Sequence, residues 1–274
     1  HVERFSLASA EWEALPPMHT PRRACAVATV QGRLYVLGGV DIAQADVGRS
    51  GKHQPECFDP TTNRWELIPP MFKPCTHAAA VAAGGLIYVF GGLSAGCVLD
   101  QAQSFDPESD LWECLEPLPT PRFECTAVTA QGHIYVIGGS NQAGVPLAVV
   151  ERYSPAGDAW DCAPPMNQAR YGCAAAAIAG KIYAFGGRQP FGAIAEVEVF
   201  DPIASAWERL PRMPVPRGRC GAAAVAGQVF LLGGGDSEDF SGVDCFDTAS
   251  RQWEKAVISM PQPRGYCAAV ATAS

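Results

Sequence analysis

The six tryptophans of this 274-residue chain fall at nearly constant intervals. Trp12, Trp65, Trp112, Trp160, Trp207 and Trp253 are separated by 53, 47, 48, 47 and 46 residues. Paired glycines keep the same period: Gly38-Gly39, Gly91-Gly92, Gly138-Gly139, Gly186-Gly187 and Gly233-Gly234, spaced by 53, 47, 48 and 47. Two independent markers with one period mean that one supersecondary unit recurs along the chain. Such a chain folds by setting copies of that unit side by side.

Within each period the apolar pattern is that of strands. Leu34-Tyr35-Val36-Leu37, ahead of the first glycine pair, is short, β-branched and aromatic, and turn residues bound it. Upstream lie a small-residue strand, Cys25 to Val30, and a Gln31-Gly32 turn; downstream come Glu56-Cys57-Phe58-Asp59-Pro60, a turn, and Trp65-Glu66-Leu67. Four short strands, a to d in chain order, make one antiparallel sheet per period. Small side chains on strand a suit the crowded innermost position. The tryptophan on strand d fills the widening gap between neighbouring sheets. The glycine pair ends strand b where another backbone can approach, because no Cβ intervenes. Sheets repeated around an axis form a β-propeller.

The strand ending in Tyr-x-x-Gly-Gly, the Glu-x-Phe/Tyr-Asp-Pro segment and the tryptophan followed by an acid resemble the kelch repeat, over essentially all of residues 2–271. The expected fold is therefore all-β, a six-bladed kelch propeller. The expected units are 1–18 (strands c and d of a closing blade), 19–71, 72–118, 119–166, 167–213, 214–260, and 261–274 (strand a of the closing blade). Val2 to Phe5 and Trp12 to Leu15 supply c and d, and Arg264 to Val270 supplies a, so the closing blade lacks strand b. In the kelch family this type of closure puts b, c and d together at the N-terminus. The resemblance thus implies that residues ahead of His1 carried another glycine pair.

Composition narrows the function classes. Lys plus Arg is 20 and Asp plus Glu 28, a net charge of −8, which repels nucleic acid and anionic membrane at long range. No apolar run reaches the roughly 18 residues of a membrane span. Eleven cysteines cannot pair completely, and no Cys-x-x-Cys occurs. Cys25, Cys125, Cys173, Cys220 and Cys267 each follow an arginine by three residues, which reads as a small buried hydrophobe in a repeat. A reducing, cytoplasmic setting is expected. The five histidines (1, 19, 53, 77 and 133) form no evident cluster, and no hydrolase, zincin or phosphate-loop motif occurs. No metal, cofactor or catalytic residue is expected.

Function has to be read from sites, since propellers host many activities. The a–b turns (Gln31-Gly32, Gln131-Gly132, Gly180-Lys181) are tight, while the d–a and b–c connections share the opposite face and vary. Arg22, Arg122, Arg170, Arg217 and Arg264 hold one d–a position, with Cys75 as the exception. Strand c carries Glu3, Glu56, Gln103, Glu151, Glu198 and Asp244 at matching places, so structural pairing is the favoured role for these arginines. Arg23, Arg188 and Arg219 lie on the same face without belonging to the repeat. With His77, Phe123, Ser140, Tyr171 and Tyr266 they are the candidate partner-binding residues, arginines interleaved with aromatics as in a binding hot spot.

Kelch domains of the BTB-kelch class commonly hold short acidic peptides with arginines from these connections, and Arg188 matches such a position. The resemblance implies a protein-interaction module, the substrate-recognition part of a cullin-RING ubiquitin ligase adaptor, reaching Cullin-3 only through a BTB domain outside this chain. Cys75 in place of an arginine and the acidic run after Gly235 (Asp236-Ser237-Glu238-Asp239) depart from that pattern. Two alternatives stay open: a kelch-type enzyme such as a sugar mutarotase using Glu124 with Arg219, and an actin-binding or scaffold kelch protein. The long 40–55 connection, with charges of both signs, is read as a loop without an assigned role.

Overall fold

The computed structural model describes residues 2–41, 54–235, 240–254 and 258–272. Most of the 40–55 connection and the acidic stretch 236–239 lie outside the described residues, as do His1 and His53.

Five four-stranded antiparallel sheets follow one another along the chain. The first comprises Ala26–Val30, Arg33–Leu37, Glu56–Asp59 and Arg64–Leu67. The second comprises Ala79–Ala83, Leu86–Phe90, Ala102–Asp106 and Leu111–Leu115. The third, fourth and fifth begin at Thr126–Ala130, Ala174–Ile178 and Gly221–Val225 and repeat the order. In every sheet the chain order is also the spatial order, each strand pairing with the next. The first strands of successive sheets lie against one another, so strand a is innermost. Those strands are small-residue runs such as Ala-Ala-Ala-Ala-Ile at 174–178, because bulkier side chains would hold converging sheets apart.

The tryptophans join the sheets. The rings of Trp65, Trp112, Trp160, Trp207 and Trp253 each lie 4.9–5.3 Å from the Phe or Tyr opposite on strand c. Each indole N–H also donates to a carbonyl at the end of the preceding sheet or segment: Pro16, Pro69, Glu116, Pro164 and Pro211. One residue thereby fills an inter-sheet gap and fixes its spacing.

The second glycine of each pair is required by its surroundings. Gly139 has φ +99°, and a Cβ there would stand 2.8 Å from the Phe123 carbonyl oxygen and 3.0 Å from the Cys125 Cβ. Its N–H donates to the carbonyl of Arg170 in the next sheet, and Gly39, Gly92, Gly187 and Gly234 repeat that bond.

Between the fifth and first sheets the architecture changes. Glu3–Ser6 pairs with Glu11–Ala14 as a two-stranded sheet. The expected C-terminal strand over 264–270 does not form: residues 261–272 contain no strand. A strand needs a ladder partner, and among the described residues this segment has none. The segment is held instead by side chains and packing. Arg264 Nη2 reaches Glu3 Oε2 at 2.6 Å, a Cβ on Gly221 would come within 2.7 Å of Ala269 Cβ, and Thr29 Oγ1 donates to the Ala271 carbonyl at 3.3 Å. Trp12 Nε1 is buried with no hydrogen-bond partner among the described residues.

Two smaller differences appear in the turns. The fourth a–b turn is Ala179-Gly180, with Lys181 already the first residue of strand b. Three b–c connections carry short ladders: Arg22–Arg23 with Val40–Asp41, Leu93–Ser94 with Cys97–Val98, and Arg188–Gln189 with Gly192–Ala193. No helix among the described residues is long and apolar enough to cross a membrane.

Candidate functional site

The d–a connections build the open mouth of the propeller in two layers. The deeper one is structural. Arg22, Arg122, Arg170 and Arg217 are buried, and each extends a guanidinium to a strand c carboxylate of its own sheet: Glu56 at 2.5 Å, Glu151 at 2.8 Å, Glu198 and Asp244. Their Nη1 groups also donate to the carbonyl of the first glycine of each pair, Gly38, Gly138, Gly186 and Gly233. Arg264 with Glu3 is the fifth such pair. The second sheet lacks arginine and acid together, having Cys75 and Gln103 instead, so no buried charge is left unmatched there.

The upper layer varies between sheets. The residue after each arginine position bridges the residue after each glycine pair: Arg23 with Val40, Thr76 with Leu93, Phe123 with Ser140, Tyr171 with Arg188, and Gly218 with Gly235. This places Phe123, Tyr171 and Arg188 on the rim. Arg23 is exposed. Arg188 lies along Gly218, with its Nη1 3.4 Å from the Gly235 carbonyl. Ser140 differs from the rest: it is 2% exposed and donates its hydroxyl to the Val145 carbonyl, so it is closed to a ligand. Phe191, at the tip of the Arg188–Ala193 ladder, is fully exposed. Sequence reasoning missed it, although its place between Pro190 and Gly192 marks a turn tip.

The next residue in each connection turns inward. Ala24, His77, Glu124, Gly172, Arg219 and Tyr266 have φ between +50° and +58°, one from each connection. For five side-chain-bearing residues this left-handed conformation costs about 1–2 kcal/mol each. A chain of backbone hydrogen bonds runs round this ring and holds it: His77 N to Ala24 O, Glu124 N to His77 O, Gly172 N to Glu124 O and Arg219 N to Gly172 O, at 2.7–2.9 Å. The same left-handed backbone recurs in the tight turns of the opposite face, at Gln31, Gln131, Ala179 and Ala226, so it belongs to the way the repeat reverses its chain.

The ring presents one connected cluster. Arg219 donates through Nε and Nη2 to the two oxygens of Glu124, both at 3.0 Å. Its guanidinium lies 4.3 Å over the Tyr266 ring and 5.7 Å from Tyr171. His77 Nε2 is 3.9 Å from Glu124 Oε1, while its Nδ1 is 3.0 Å from the Thr76 hydroxyl. The imidazole stands edge-on to Tyr266 and Phe123. Burial pushes the His77 imidazolium below its usual range despite the Glu124 carboxylate beside it, and Arg219 and Arg23 add to the effect. Burial also works against the charge on Arg219, but Glu124 outweighs it and raises the guanidinium.

The ring residues line a cleft of about 120 Å³ together with a layer of thiols, Cys25, Cys125, Cys173, Cys220 and Cys267, with Ala78 in the second sheet's place. Burial lifts Cys125 and Cys173 to about 11 and Cys220 to about 12, and raises Cys25 and Cys267. These are protonated thiols, poor nucleophiles and poor ligands at neutral pH. All eleven cysteines are free. Among the described residues no group of three or more His, Cys, Asp or Glu could hold a metal ion.

Comparison with known proteins accounts for the architecture. The family model described as the KLHDC2/KLHL20/DRC7 Kelch-repeats domain matches residues 1–139 and 116–274. The chain belongs to the kelch-repeat family. Among curated relatives, this kelch domain is 36% identical over 99 residues to Kelch repeat and BTB domain-containing protein 12 of Danio rerio, covering 35% of this chain and 16% of that protein. It is 38% identical over 94 residues to Kelch-like protein 35 of Mus musculus, covering 34% and 15%. It is 30% identical over 96 residues to Kelch-like ECH-associated protein 1B of Danio rerio, covering 35% and 16%. The matches thus span about one sixth of those relatives' lengths. The solved structure titled "Structure of YjhT" superposes with a TM-score of 0.79 at 16% identity, over 93% of this chain and 89% of that one, which shows the fold alone.

Proposed function

We propose that this kelch domain holds a peptide segment of a protein partner across its d–a/b–c face and serves as the substrate-recognition part of a cullin-RING ubiquitin ligase adaptor. The observation that carries the reading is the mouth itself. Arg23, Arg188 and Arg219 alternate there with His77, Phe123, Tyr171 and Tyr266, and Phe191 projects from the rim. Arginine and aromatic side chains grouped around one mouth are the chemistry of binding hot spots. The a–b turns on the opposite face are two-residue and offer little surface. Contact with Cullin-3 would run through a BTB domain, a type of region named in the Danio rerio relative. A cytoplasmic site of action fits the eleven free cysteines.

The same reading includes a six-bladed ring. Glu3–Ser6, Glu11–Ala14 and the 264–271 segment stand as parts of an incomplete sixth blade, supported by the Arg264–Glu3 pair and by Tyr266, which repeats the left-handed position of the other five connections.

The test is a pull-down from cytosolic lysate read by mass spectrometry, comparing the wild type with Arg188→Ala/Arg219→Ala. Partners lost from the still-folded double variant support recognition at the mouth. Retention of the same partners by both baits overturns it.

A further inference from the structure

The Glu124–Arg219 pair is not part of what builds a blade. The arginines that the repeat uses pair with strand c acids of their own sheet. Glu124 and Arg219 instead come from the third and fifth connections, 95 residues apart, at positions that elsewhere hold Ala24, His77, Gly172 and Tyr266. The pair spans the fourth connection, and that connection makes room for it. A Cβ on Gly172 would stand 3.0 Å from both Glu124 Oε2 and Arg219 Cγ. Gly172 is also the single glycine in the left-handed ring. Glu124 is 9% exposed, whereas the Arg219 side chain keeps 26% exposure and faces the mouth. A bidentate, charge-assisted fork is the arrangement an arginine makes with a bound carboxylate. Here the carboxylate belongs to the protein.

We infer that Glu124 is an internal ligand of the mouth, occupying the face of Arg219 that an acidic peptide side chain takes on binding, and so sets the threshold for such peptides. The inference rests on the mouth being where the peptide is held. An incoming carboxylate displaces Glu124 from Arg219. Glu124 then has a partner within reach, since His77 Nε2 already lies 3.9 Å from Oε1. His77 is neutral when buried beside Arg219, Arg23 and Tyr266, so accepting the displaced carboxylate draws a proton from solvent onto the imidazole. Acidic ligands therefore bind more tightly as pH falls toward the ordinary histidine range, while their own carboxylates stay ionised.

The probe is a fluorescein-labelled hexaglutamate peptide, with hexalysine as charge control, followed by anisotropy with wild type, Glu124→Gln, Arg219→Ala and the double variant. Glu124→Gln keeps shape and removes the competing charge. It is expected to tighten hexaglutamate binding at least about fivefold, the lower end of ordinary coupling between sites. The double variant loses that gain. Wild type binds more tightly at pH 6.5 than at pH 8, and Glu124→Gln shows no such dependence. Gly172→Ala is the second variant, since it keeps both charges while forcing the pair apart, and it also tightens binding. Unchanged or weaker binding by Glu124→Gln, with Arg219→Ala still weakening the wild type, overturns the internal ligand and leaves the mouth reading standing. If Arg219→Ala changes neither hexaglutamate binding nor the pull-down partners, the mouth reading falls as well.

Discussion

Arg122→Cys would give the third sheet half of what the second sheet already has. In the wild type, Arg122 is fully buried, its Nη1 donates to the Gly138 and Val149 carbonyls at 3.1 Å each, and Nη2 is paired with Glu151 at 2.8 Å. Removing the arginine takes its donors from the Gly138 and Thr120 carbonyls, leaves the Val149 carbonyl with the Gly138 N–H alone, and strands a carboxylate, 2% exposed, whose remaining donor is Thr120 Oγ1. Breaking a buried pair from one side costs about 3–5 kcal/mol. For a chain of this size that lowers the melting temperature by roughly 6–20 °C, taking about 2–4 °C per kcal/mol. Arg122→Cys/Glu151→Gln then installs the residues of the second sheet, Cys75 and Gln103, and removes the stranded charge. It is expected to recover about 1–3 kcal/mol, a coupling ordinary for contacting residues. Urea denaturation followed by tryptophan fluorescence, with thermal melts alongside, measures both variants against the wild type. If the double variant is no more stable than Arg122→Cys alone, the matched loss of arginine and acid in the second sheet has a different cause.

Other expectations follow from the same contacts. Trp207→Phe keeps a ring against Phe200 but loses the bond from Nε1 to the Pro164 carbonyl, and should cost about 0.5–1.5 kcal/mol by the same denaturation assay. Gly139→Ala forces a side chain to φ +99° and against the Phe123 carbonyl, and should cost about 1–3 kcal/mol or shift the rim, visible in melts and in amide spectra. In the c–d turns of four of the five sheets, Asp59, Asp106, Asp201 and Asp247 accept hydrogen bonds from Thr61, Glu108, Ala204 and Ser250, which hold their carboxyls below the usual range. Their contribution is complete above the unfolded value of about 4 and is lost as pH falls through the lower folded values, so the urea midpoint should drop below pH 4 and Asp106→Asn should shallow that drop.

The scaffold was legible because every sheet needs the same few contacts. A tryptophan that reaches a carbonyl of the preceding sheet, and a glycine that meets a neighbouring carbonyl, are demanded five times over, so they stand out as a period. The buried arginines were legible for a subtler reason: where Cys75 replaces one, Gln103 replaces its acid. The inner ring left no such trace. Its left-handed backbone would ordinarily announce itself through glycine, and only Gly172 obeys, while Ala24, His77, Glu124, Arg219 and Tyr266 carry side chains there. Glu124 and Arg219, which the sequence already offers as an acid and an arginine near the channel, meet because their two connections face one axis. Ser140 read as a rim contact from its place after a glycine pair, yet its hydroxyl turns inward to Val145. The C-terminal strand was drawn from a pattern of small residues that does match strand a, but a strand is defined by its partner.

That last point bears on how the ring holds together. Successive sheets are joined by backbone bonds from the second glycine and by tryptophan side chains, so each of those junctions has redundant ties. Between the fifth and first sheets both kinds of tie recur, with Trp65 Nε1 on the Pro16 carbonyl at the N-terminal side. Gly234 still donates to the Arg264 carbonyl and Cys267 Sγ to the Leu232 carbonyl, but the segment joins no ladder. The sheet of Glu3–Ser6 and Glu11–Ala14 reaches that segment through Arg264, whose side chain is 24% exposed where Arg122, Arg170 and Arg217 are sealed. An ion pair open to water contributes less than a sealed one and weakens with salt. Tyr266, which stacks on Arg219 and meets His77 edge-on, sits on this same segment. The residue that completes the aromatic wall of the mouth is therefore carried by a segment that joins no ladder among the described residues, and whatever positions that segment also shapes the mouth.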